Sequence, residues 1–308
     1  MMPTNNKIKG LLAALLGTSI IGLSYIFVKI GLRYSSPIDL LADRLLLAFA
    51  AIYILQRTRM VKIRAVNYHQ KISLFGLSLL YPAGFFAFQI LGIRIVPASE
   101  AAIIYALLPV VTLMASSIIL KERTIFVQKL GSVLSVLGVI YITVQSVHSV
   151  SMNYWGYIFI LISLVTIVAY FIVLKHIISD IPPITVTFYI LLYSTLLINV
   201  INVGIYGLEH NFRDYFVRFH FPQYIYILIY LGILSTLVTS FLTNYSLKVL
   251  PASIVGVFNN LSPVIGLFAG VLLLSETLHI YYIYGGILVL AGLALSSLTK
   301  SEDKNKKK

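Results

Sequence analysis

The feature that most constrains this chain is a series of apolar runs, each about twenty residues long, separated by short polar or proline-containing breaks. A helix of about 20 residues has the length needed to cross the ~30 Å hydrocarbon core of a bilayer. The 308 residues are 59% hydrophobic and 11% charged, whereas a soluble globular domain is about 25% charged. The pattern therefore predicts an all-α integral membrane protein.

Dividing the chain at these breaks predicts ten transmembrane helices. The first run follows two lysines, as a secretory signal would, but it is longer than the about 7 to 15 apolar residues of such a signal and should remain as the first span. The longest internal break, 207–223, is too short for a separate soluble domain. The predicted spans are approximately 10–32, 38–56, 72–96, 98–120, 126–147, 154–175, 184–206, 224–247, 252–274 and 280–298.

The basic residues predict the orientation of these spans. With the N-terminus in the cytoplasm, seventeen lysines and arginines fall in inner segments, and only four, Arg33, Arg94, Arg213 and Arg218, fall in outer ones. This asymmetry follows the positive-inside rule, so both termini are expected on the cytoplasmic side of a plasma membrane. The net charge of +13 is therefore a topology signal, and no basic face with interleaved aromatics indicates nucleic-acid binding.

The sequence offers no set of residues for catalysis. It contains no cysteine, which removes disulfides, thiol catalysis and cysteine-ligated metal. The six histidines lack metal-binding spacing, and neither a nucleophile with its base nor a glycine-rich phosphate loop stands out. We expect no enzymatic activity, no cofactor and no bound metal.

An internal duplication is visible in the two halves of the chain. The tripeptide Pro97-Ala98-Ser99 recurs 154 residues later as Pro251-Ala252-Ser253. The same offset relates Pro109 to Pro263, Glu122 to Glu276, Gly131 to Gly285 and Gly138 to Gly292, while an offset of 146 relates Gly10 to Gly156, Lys29 to Lys175 and Pro37 to Pro183. Prolines and glycines are informative here because they have specific backbone roles. The sequence thus predicts two five-helix repeats, residues 1–150 and 151–308.

Because five spans is an odd number, the second repeat must cross the bilayer in the opposite orientation to the first. Inverted repeats around a central cavity are the architecture by which many secondary transporters form two mirror-related states. We therefore expect a transporter of a small molecule that works by alternating access, with a channel or facilitative pore for small solutes as the alternative. Proton coupling through Asp43 or Glu100, and assembly as a homodimer, are further hypotheses.

The same residues resemble EamA-type members of the drug/metabolite transporter superfamily over almost the whole chain. The resemblance rests on PASEAAIIYALLPVVTLMASSIILKE at 97–122, on LSPVIGLFAGVLLLSE at 261–276, and on the second span around Arg44. Members of that family are mostly exporters of amino acids, metabolites or toxic compounds. The resemblance thus implies export of a small polar or amphipathic metabolite, although Leu23-Ser24-Tyr25 stands where many relatives have a tryptophan, so no particular substrate is carried over.

Ionisable side chains inside spans are the first candidate site residues, because each costs about 2.5 to 3.5 kcal/mol on insertion. We expect Lys29, Asp43, Arg44 and Glu100 in the outer half of the bundle, where they would bind substrate or form a gate. The alternative is that Lys29 reaches the headgroups while Asp43 and Arg44 form structural pairs with neighbours. The second repeat has Tyr189, Ile190 and Ile254 at the positions of Asp43, Arg44 and Glu100, which favours a role specific to one side.

Helix breaks near the bilayer midplane give the second set of candidates. Pro109 and Pro263 each remove a helical hydrogen bond and free the carbonyl four residues earlier, at Tyr105 and Asn259. With the adjacent Asn260, these residues are predicted to line the cavity; the alternative is hydrogen bonding between helices. We assign Tyr25, Tyr81, Gln89 and Asn244 to packing, together with a small-residue face formed by Gly266, Gly270, Thr112 and Ser116.

Overall fold

A computed structural model describes residues 4–105, 107–120, 126–146, 154–177, 181–209, 215–259, 261–274 and 280–297. Every regular element within these ranges is a helix, and none of the described residues forms a strand. Glu122, Asn260 and Glu276 lie outside the described residues, as does the side chain of Glu100. The prediction of an all-α fold is confirmed for the part of the chain that the structure describes.

Seven α-helices form the first half of the chain. Ser36 caps the start of α2 by accepting the backbone N–H of Asp39, and Pro37 follows at the first helical position. A π-helical segment, Leu79–Gly84, joins α3 to α4. The helices are α1 Thr4–Gly31, α2 Pro37–Arg57, α3 Tyr68–Ser78, α4 Phe85–Ile95, α5 Ala98–Tyr105, α6 Leu108–Ile119 and α7 Phe126–Ser146.

The second half repeats this order of elements. A 3-10 turn, Val217–His220, precedes α10, and a second π-helical segment, Tyr230–Val238, joins α10 to α11. The helices are α8 Tyr154–Ile177, α9 Pro183–Glu209, α10 Pro222–Ile229, α11 Thr239–Val249, α12 Ala252–Phe258, α13 Leu261–Leu274 and α14 Ile280–Ser297. Helices therefore lie within each of the predicted spans.

Among the described residues, five helical segments are long and apolar enough to cross a membrane on their own: Asn6–Gly31, Tyr68–Ile95, Tyr154–Ile177, Pro183–Leu208 and Pro222–Val249. Leu108–Ile119, Phe126–Gly138 and Ile283–Gly292 are shorter apolar stretches. Helix α2 has 21 residues, and Asp39, Asp43 and Arg44 within it are buried in the bundle. The chain has the character of a multi-pass membrane protein.

The contacts between the two halves are symmetric, because each contact of a helix in one half has a counterpart made by the equivalent helix of the other half. Helix α1 packs against α11 and α13, and its equivalent α8 packs against α4 and α6. The equivalent helices α2 and α9 contact each other, as do α7 and α14. Each half therefore packs against equivalent helices of the other half.

Helices α7 and α14 approach closely at two related glycines. A Cβ atom on Gly138 would lie 2.7 Å from the carbonyl oxygen of Gly285, and a Cβ on Gly292 would overlap the carbonyl oxygen of Gly131 and the side chain of Ser135. The offset of 154 converts one contact into the other. Glycine is needed at both positions because the facing backbone occupies the space of a side chain.

Two lysines cap the ends of equivalent helices. Lys29 donates from Nζ to the carbonyl oxygens of Ile93 and Val96, at 2.9 and 3.0 Å, where α4 ends. Lys175 donates in the same way to Leu247, at 2.6 Å, and to Leu250, where α11 ends. Carbonyls at a helix C-terminus lack partners within the helix and interact favourably with a cation. Lys29 and Lys175 thus perform the same structural task in the two halves.

Candidate functional site

A central cavity lies between the two halves of the bundle. Its accessible volume is about 30 Å³ in this conformation, and side chains of α1, α4, α5, α6, α8, α11, α13 and both π-helical segments line it. Most of the wall is aromatic or aliphatic, and the polar groups that face it include the hydroxyls of Ser24, Tyr25 and Ser235. A mostly apolar pocket with a few convergent polar groups is typical of a small-molecule site.

The π-helical segments bring equivalent residues, Tyr81 and Ser235, into the wall of the cavity. Tyr81 has φ −148° and ψ 131°, and Pro82, which follows it, has no N–H to donate to a helical turn. The extended backbone at Tyr81 therefore interrupts the helix, and the Tyr81 ring lies beside that of Tyr170, whose centroid is 4.9 Å away. The Ser240 hydroxyl donates to the Tyr81 hydroxyl at 3.1 Å and holds the ring in place.

Tyr105 and Asn259 both lie in the cavity wall. The Tyr105 ring stacks on Tyr25 at a centroid distance of 5.6 Å, and its hydroxyl hydrogen-bonds to the hydroxyl of Ser163. The Asn259 side chain accepts a hydrogen bond of 3.4 Å from Thr18. Each residue thus contacts another helix as well as the cavity, and a role of either one in binding substrate stays a prediction.

The two prolines begin new helices near these residues. Helix α5 ends at Tyr105, and Pro109 is the second residue of α6. Pro263 is the third residue of α13, after α12 has ended at Phe258. The chain is thus interrupted beside the cavity in both halves.

Arg44 is fully buried behind the cavity wall. Its Nε donates to the Thr236 hydroxyl at 3.0 Å and its Nη2 donates to the Ser235 hydroxyl at 3.1 Å, while its third nitrogen, Nη1, has no hydrogen-bond partner among the described residues. The guanidinium carbon lies 3.7 Å from the ring centroid of Phe86, a cation–π contact. Arg44 reaches the middle of the second π-helical segment, and is therefore nearer the centre of the bundle than the sequence predicts.

Gln89 is the second unsatisfied polar group at the cavity. Its side chain is 1% exposed and faces the cavity beside Tyr105, and neither its amide oxygen nor its amide nitrogen makes a hydrogen bond of ordinary geometry to a described residue. A buried amide without partners loses the hydrogen bonds it makes to water and gains none in return. Such a group is a candidate ligand contact.

At one end of the bundle, an ionic cluster joins the two halves; we name it the Arg218 cluster, formed by Asp39, Asp43 and Arg218. Arg218 donates to the two carboxylate oxygens of Asp43 at 2.6 and 3.0 Å, and its Nη1 lies 3.2 Å from an oxygen of Asp39. All three side chains are buried. Four further donors complete the aspartate contacts: Ser36, Asn202 and Tyr206 on Asp39, and Tyr224 on Asp43.

The cluster keeps Arg218 charged. Burial lowers the pKa of the Arg218 guanidinium, but the hydrogen bonds and negative charge of Asp43 outweigh this effect and raise the pKa above its ordinary value. The carbonyl oxygen of Tyr215 accepts a further hydrogen bond of 2.6 Å from Arg218, and the Tyr215 ring lies 4.4 Å from the guanidinium carbon. The 3-10 turn that carries Arg218 is therefore fixed against α2.

The positions related to this cluster by the repeat lie at the opposite end of the bundle. The offsets of 146 and 154 relate Asp39, Asp43 and Arg218 to Thr185, Tyr189 and Arg64. There the Thr185 hydroxyl accepts the backbone N–H of Arg64 at 3.1 Å. The acids at the positions of Asp39 and Asp43 are thus present in one half only.

Sequence reasoning missed several of these contacts. Asp43 pairs with Arg218 in the other half of the chain, whereas Arg44 bonds to hydroxyls. The sequence interpretation counted Arg218 only as an outer basic residue and assigned Gln89 to packing. The repeat held a usable signal, because the 154-residue offset places Arg218 opposite Arg64 and Ser235 opposite Tyr81.

The fold and cavity define the class: a multi-pass helical membrane protein with a mostly apolar cavity between its two halves. The sequence model of the EamA-like transporter family matches residues 8–144 and, a second time, residues 154–298. The chain is 35% identical over 290 residues to the uncharacterized transporter YcxC of Bacillus subtilis, covering 93% of this chain and 92% of that one. The chain belongs to the EamA-like transporter family, and as a membrane transporter it is not an enzyme.

Two further proteins are similar to this chain. An uncharacterized transporter of Archaeoglobus fulgidus is 28% identical over 276 residues, which cover 88% of this chain and 92% of that one. A crystal structure of a protein with 15% identity superposes with a TM-score of 0.72 and covers 96% of this chain and 97% of its own. At that identity the likeness shows the fold alone.

Proposed function

We propose that this chain is a secondary active transporter that moves a small polar or amphipathic metabolite across the plasma membrane by alternating access. Its ten transmembrane helices form two inverted five-helix repeats, residues 1–150 and 151–308, around the central cavity. Both termini face the cytoplasm, because most basic residues then lie on the inner side. Export is the proposed direction, in keeping with the family resemblance.

The observation that carries this proposal is the cavity between two halves whose contacts are interchangeable. If the halves exchange conformations, the cavity opens to the other side without a change in the set of packed helices. The Arg218 cluster then closes the outer end in the present state, and the contact between Thr185 and Arg64 belongs to the inner end. Alternating access requires that these two ends open in turn.

Counterflow in proteoliposomes tests this proposal. Purified protein is reconstituted, loaded with a high concentration of an unlabelled aromatic carboxylate, amino acid or amphipathic amine, and diluted into a trace of the same labelled compound. A carrier accumulates label transiently inside the vesicles because unlabelled solute leaves through the same site. Failure of every compound in the panel to accumulate above protein-free liposomes would contradict the proposal.

A channel or facilitative pore for small solutes is the alternative. Current recordings across planar bilayers that contain the protein separate the two mechanisms. We expect no ohmic single-channel current from a carrier, since its cavity never opens to both sides together. Unitary currents that scale linearly with voltage would favour the channel.

Coupling to protons is a further part of the proposal. Asp43 is held by two hydrogen bonds from Arg218, so a proton would bind to it when the outer end opens and Arg218 withdraws. Glu100 is the other proposed proton carrier. Transport that is unaffected by a pH gradient would exclude this coupling, and full pH-gradient-driven transport by Asp43→Asn and Glu100→Gln would exclude these two residues as the proton carriers.

Homodimer formation is the last part of the proposal. Gly266 and Gly270 are buried inside the chain, and Thr112 lies against Gly256, so this small-residue face serves packing within one protomer. A dimer would therefore use other, lipid-facing surfaces. Light scattering of the protein–detergent complex, with the detergent mass subtracted, would give the mass of one chain or of two.

A further inference from the structure

We infer that the cavity binds an organic anion, with a carboxylate attached to an aromatic or aliphatic body, and that Arg44 and Gln89 recognise the carboxylate. This inference rests on the proposed function and specifies its substrate class. It follows from the charge of Arg44, from the unfilled hydrogen bonds at the cavity, and from the chemistry of the rest of the wall.

The positive charge of Arg44 has no counter-ion in the described part of the chain. Arginine remains protonated in proteins, and no described carboxylate lies within ion-pair distance of this guanidinium. Asp43, the preceding residue, does not fill this role, because its oxygens accept hydrogen bonds from Arg218 and Tyr224. A fully buried cation with only hydroxyl and ring contacts favours an anion nearby.

Ser235 and Phe86 lie between Arg44 and the open space of the cavity, and both contact the guanidinium. Its Nη2 donates to the Ser235 hydroxyl, so the Ser235 oxygen is occupied as an acceptor while its proton makes no hydrogen bond to any described residue. The guanidinium polarises that proton, which is therefore a donor for an anion bound in the cavity. Nη1, the unfilled donor of Arg44, becomes available to the anion if the Phe86 ring moves aside.

Gln89 supplies a second recognition group, because its amide faces the same cavity and would donate to a ligand there. The chemistry of the remaining wall suits the body of such a ligand, which the cavity of about 30 Å³ would admit when the transporter opens. Tyr25, Phe85, Tyr105 and Phe171 present aromatic surfaces, which bury an aromatic or aliphatic chain and leave its carboxylate for the polar side.

The same wall disfavours cations. None of the described residues that line the cavity is acidic, so an ammonium group would lie near the Arg44 charge without a counter-ion. A zwitterion would have a partner for its carboxylate only. The inferred order of affinity is therefore carboxylate, then neutral amide, then amine.

The test compares ligands that differ only in this group. Binding to the detergent-purified protein is measured by thermal shift and calorimetry with 3-phenylpropionate, 3-phenylpropionamide and 3-phenylpropylamine, and with octanoate, octanamide and octylamine. We expect each carboxylate to bind at least about tenfold more tightly than its amide, which is the contribution of one charge-assisted hydrogen bond. Equal or tighter binding of the amides or amines, or binding of neither carboxylate, overturns the inference.

Variants assign the preference to particular residues. Arg44→Lys keeps the charge and should keep the order of affinity. Arg44→Gln should reduce the ratio of carboxylate affinity to amide affinity to about one. Gln89→Leu should reduce this ratio in part. Arg94→Gln removes an exposed arginine and should change nothing. A carboxylate preference that survives intact in Arg44→Gln contradicts the inference; if that variant does not fold, the wild-type series and Arg44→Lys decide.

Counterflow separates this inference from the proposed function. Carboxylate binding without accumulation of label would support the anion site and contradict the transporter mechanism. Accumulation of the amide or amine in preference to the carboxylate would support the transporter and overturn the anion site.

Discussion

The guanidinium of Arg218 holds the carboxylate of Asp43 through two hydrogen bonds, of 2.6 and 3.0 Å, although the residues are 175 positions apart. This contact joins α2 of the first half to the 3-10 turn of the second half in a buried site. A bidentate pair of this kind fixes both distance and angle between its elements. It is therefore the strongest single connection between the halves at this end of the bundle.

Removing one partner of this pair should destabilise the protein. We expect Arg218→Met to lower the free energy of unfolding by about 3 to 5 kcal/mol, because the two aspartates remain buried without their cation. The double variant Arg218→Met with Asp43→Asn should cost less than the sum of the single changes. Denaturant titration in detergent micelles measures all three.

The matched control for this cycle is Arg33→Met, which removes an exposed arginine at the same end of the bundle. It should change the unfolding free energy by less than about 0.5 kcal/mol. Strict additivity of the Arg218 and Asp43 substitutions would show that the pair is not coupled.

The two capping lysines should contribute equally to stability. Lys29→Met and Lys175→Met each remove charged hydrogen bonds to two carbonyls at a helix end, and each should cost about 2 kcal/mol. Lys9→Met, at an exposed position of α1, is the control. Thermal unfolding of the three variants in the same detergent gives the comparison, and a large loss in Lys29→Met with none in Lys175→Met would contradict the equivalence of the halves.

These lysines show how much the sequence could predict. The offset of 146 pairs Lys29 with Lys175, and a residue that recurs in both halves is one that each half needs to fold. The sequence interpretation made Lys29 a gating candidate as well, and a gating role stays a prediction beside the capping contact seen in the structure. The repeat predicts that a residue recurs, but it does not predict the atom to which the side chain bonds.

The contacts of Asp43 and Arg44 could not be predicted in the same way. Both residues lie on one turn of α2, and helical spacing predicts only that their side chains diverge. The partner of Asp43, Arg218, lies in a connecting segment that has no hydrophobic periodicity. The partner of Arg44, Thr236, lies in a π-helical segment, where the side chains do not follow α-helical spacing. Tertiary placement of those segments decides both contacts.

The crossing of α7 and α14 should depend on its glycines. Gly138→Ala and Gly292→Ala each place a methyl group against facing backbone, and each should cost about 1 to 3 kcal/mol of overpacking. Gly286→Ala is the control within the same helix as Gly292, because a Cβ there meets no atom within 4 Å. Thermal unfolding distinguishes the cases, and an effect of Gly286→Ala equal to that of Gly292→Ala would assign the loss to glycine replacement in general.

The central claim is that the cavity opens to one side at a time, and access to a single cysteine tests it most directly. Ser24 lies in the cavity wall, and the chain contains no cysteine. Ser24→Cys therefore introduces the single reactive thiol of the protein. Its rate of reaction with a membrane-impermeant maleimide is measured in right-side-out and inside-out vesicles, with and without Arg218→Gln. Alternating access predicts that Arg218→Gln increases the rate from the outside and decreases it from the inside. An increase from the outside with no decrease from the inside would indicate a continuous pore and contradict the account.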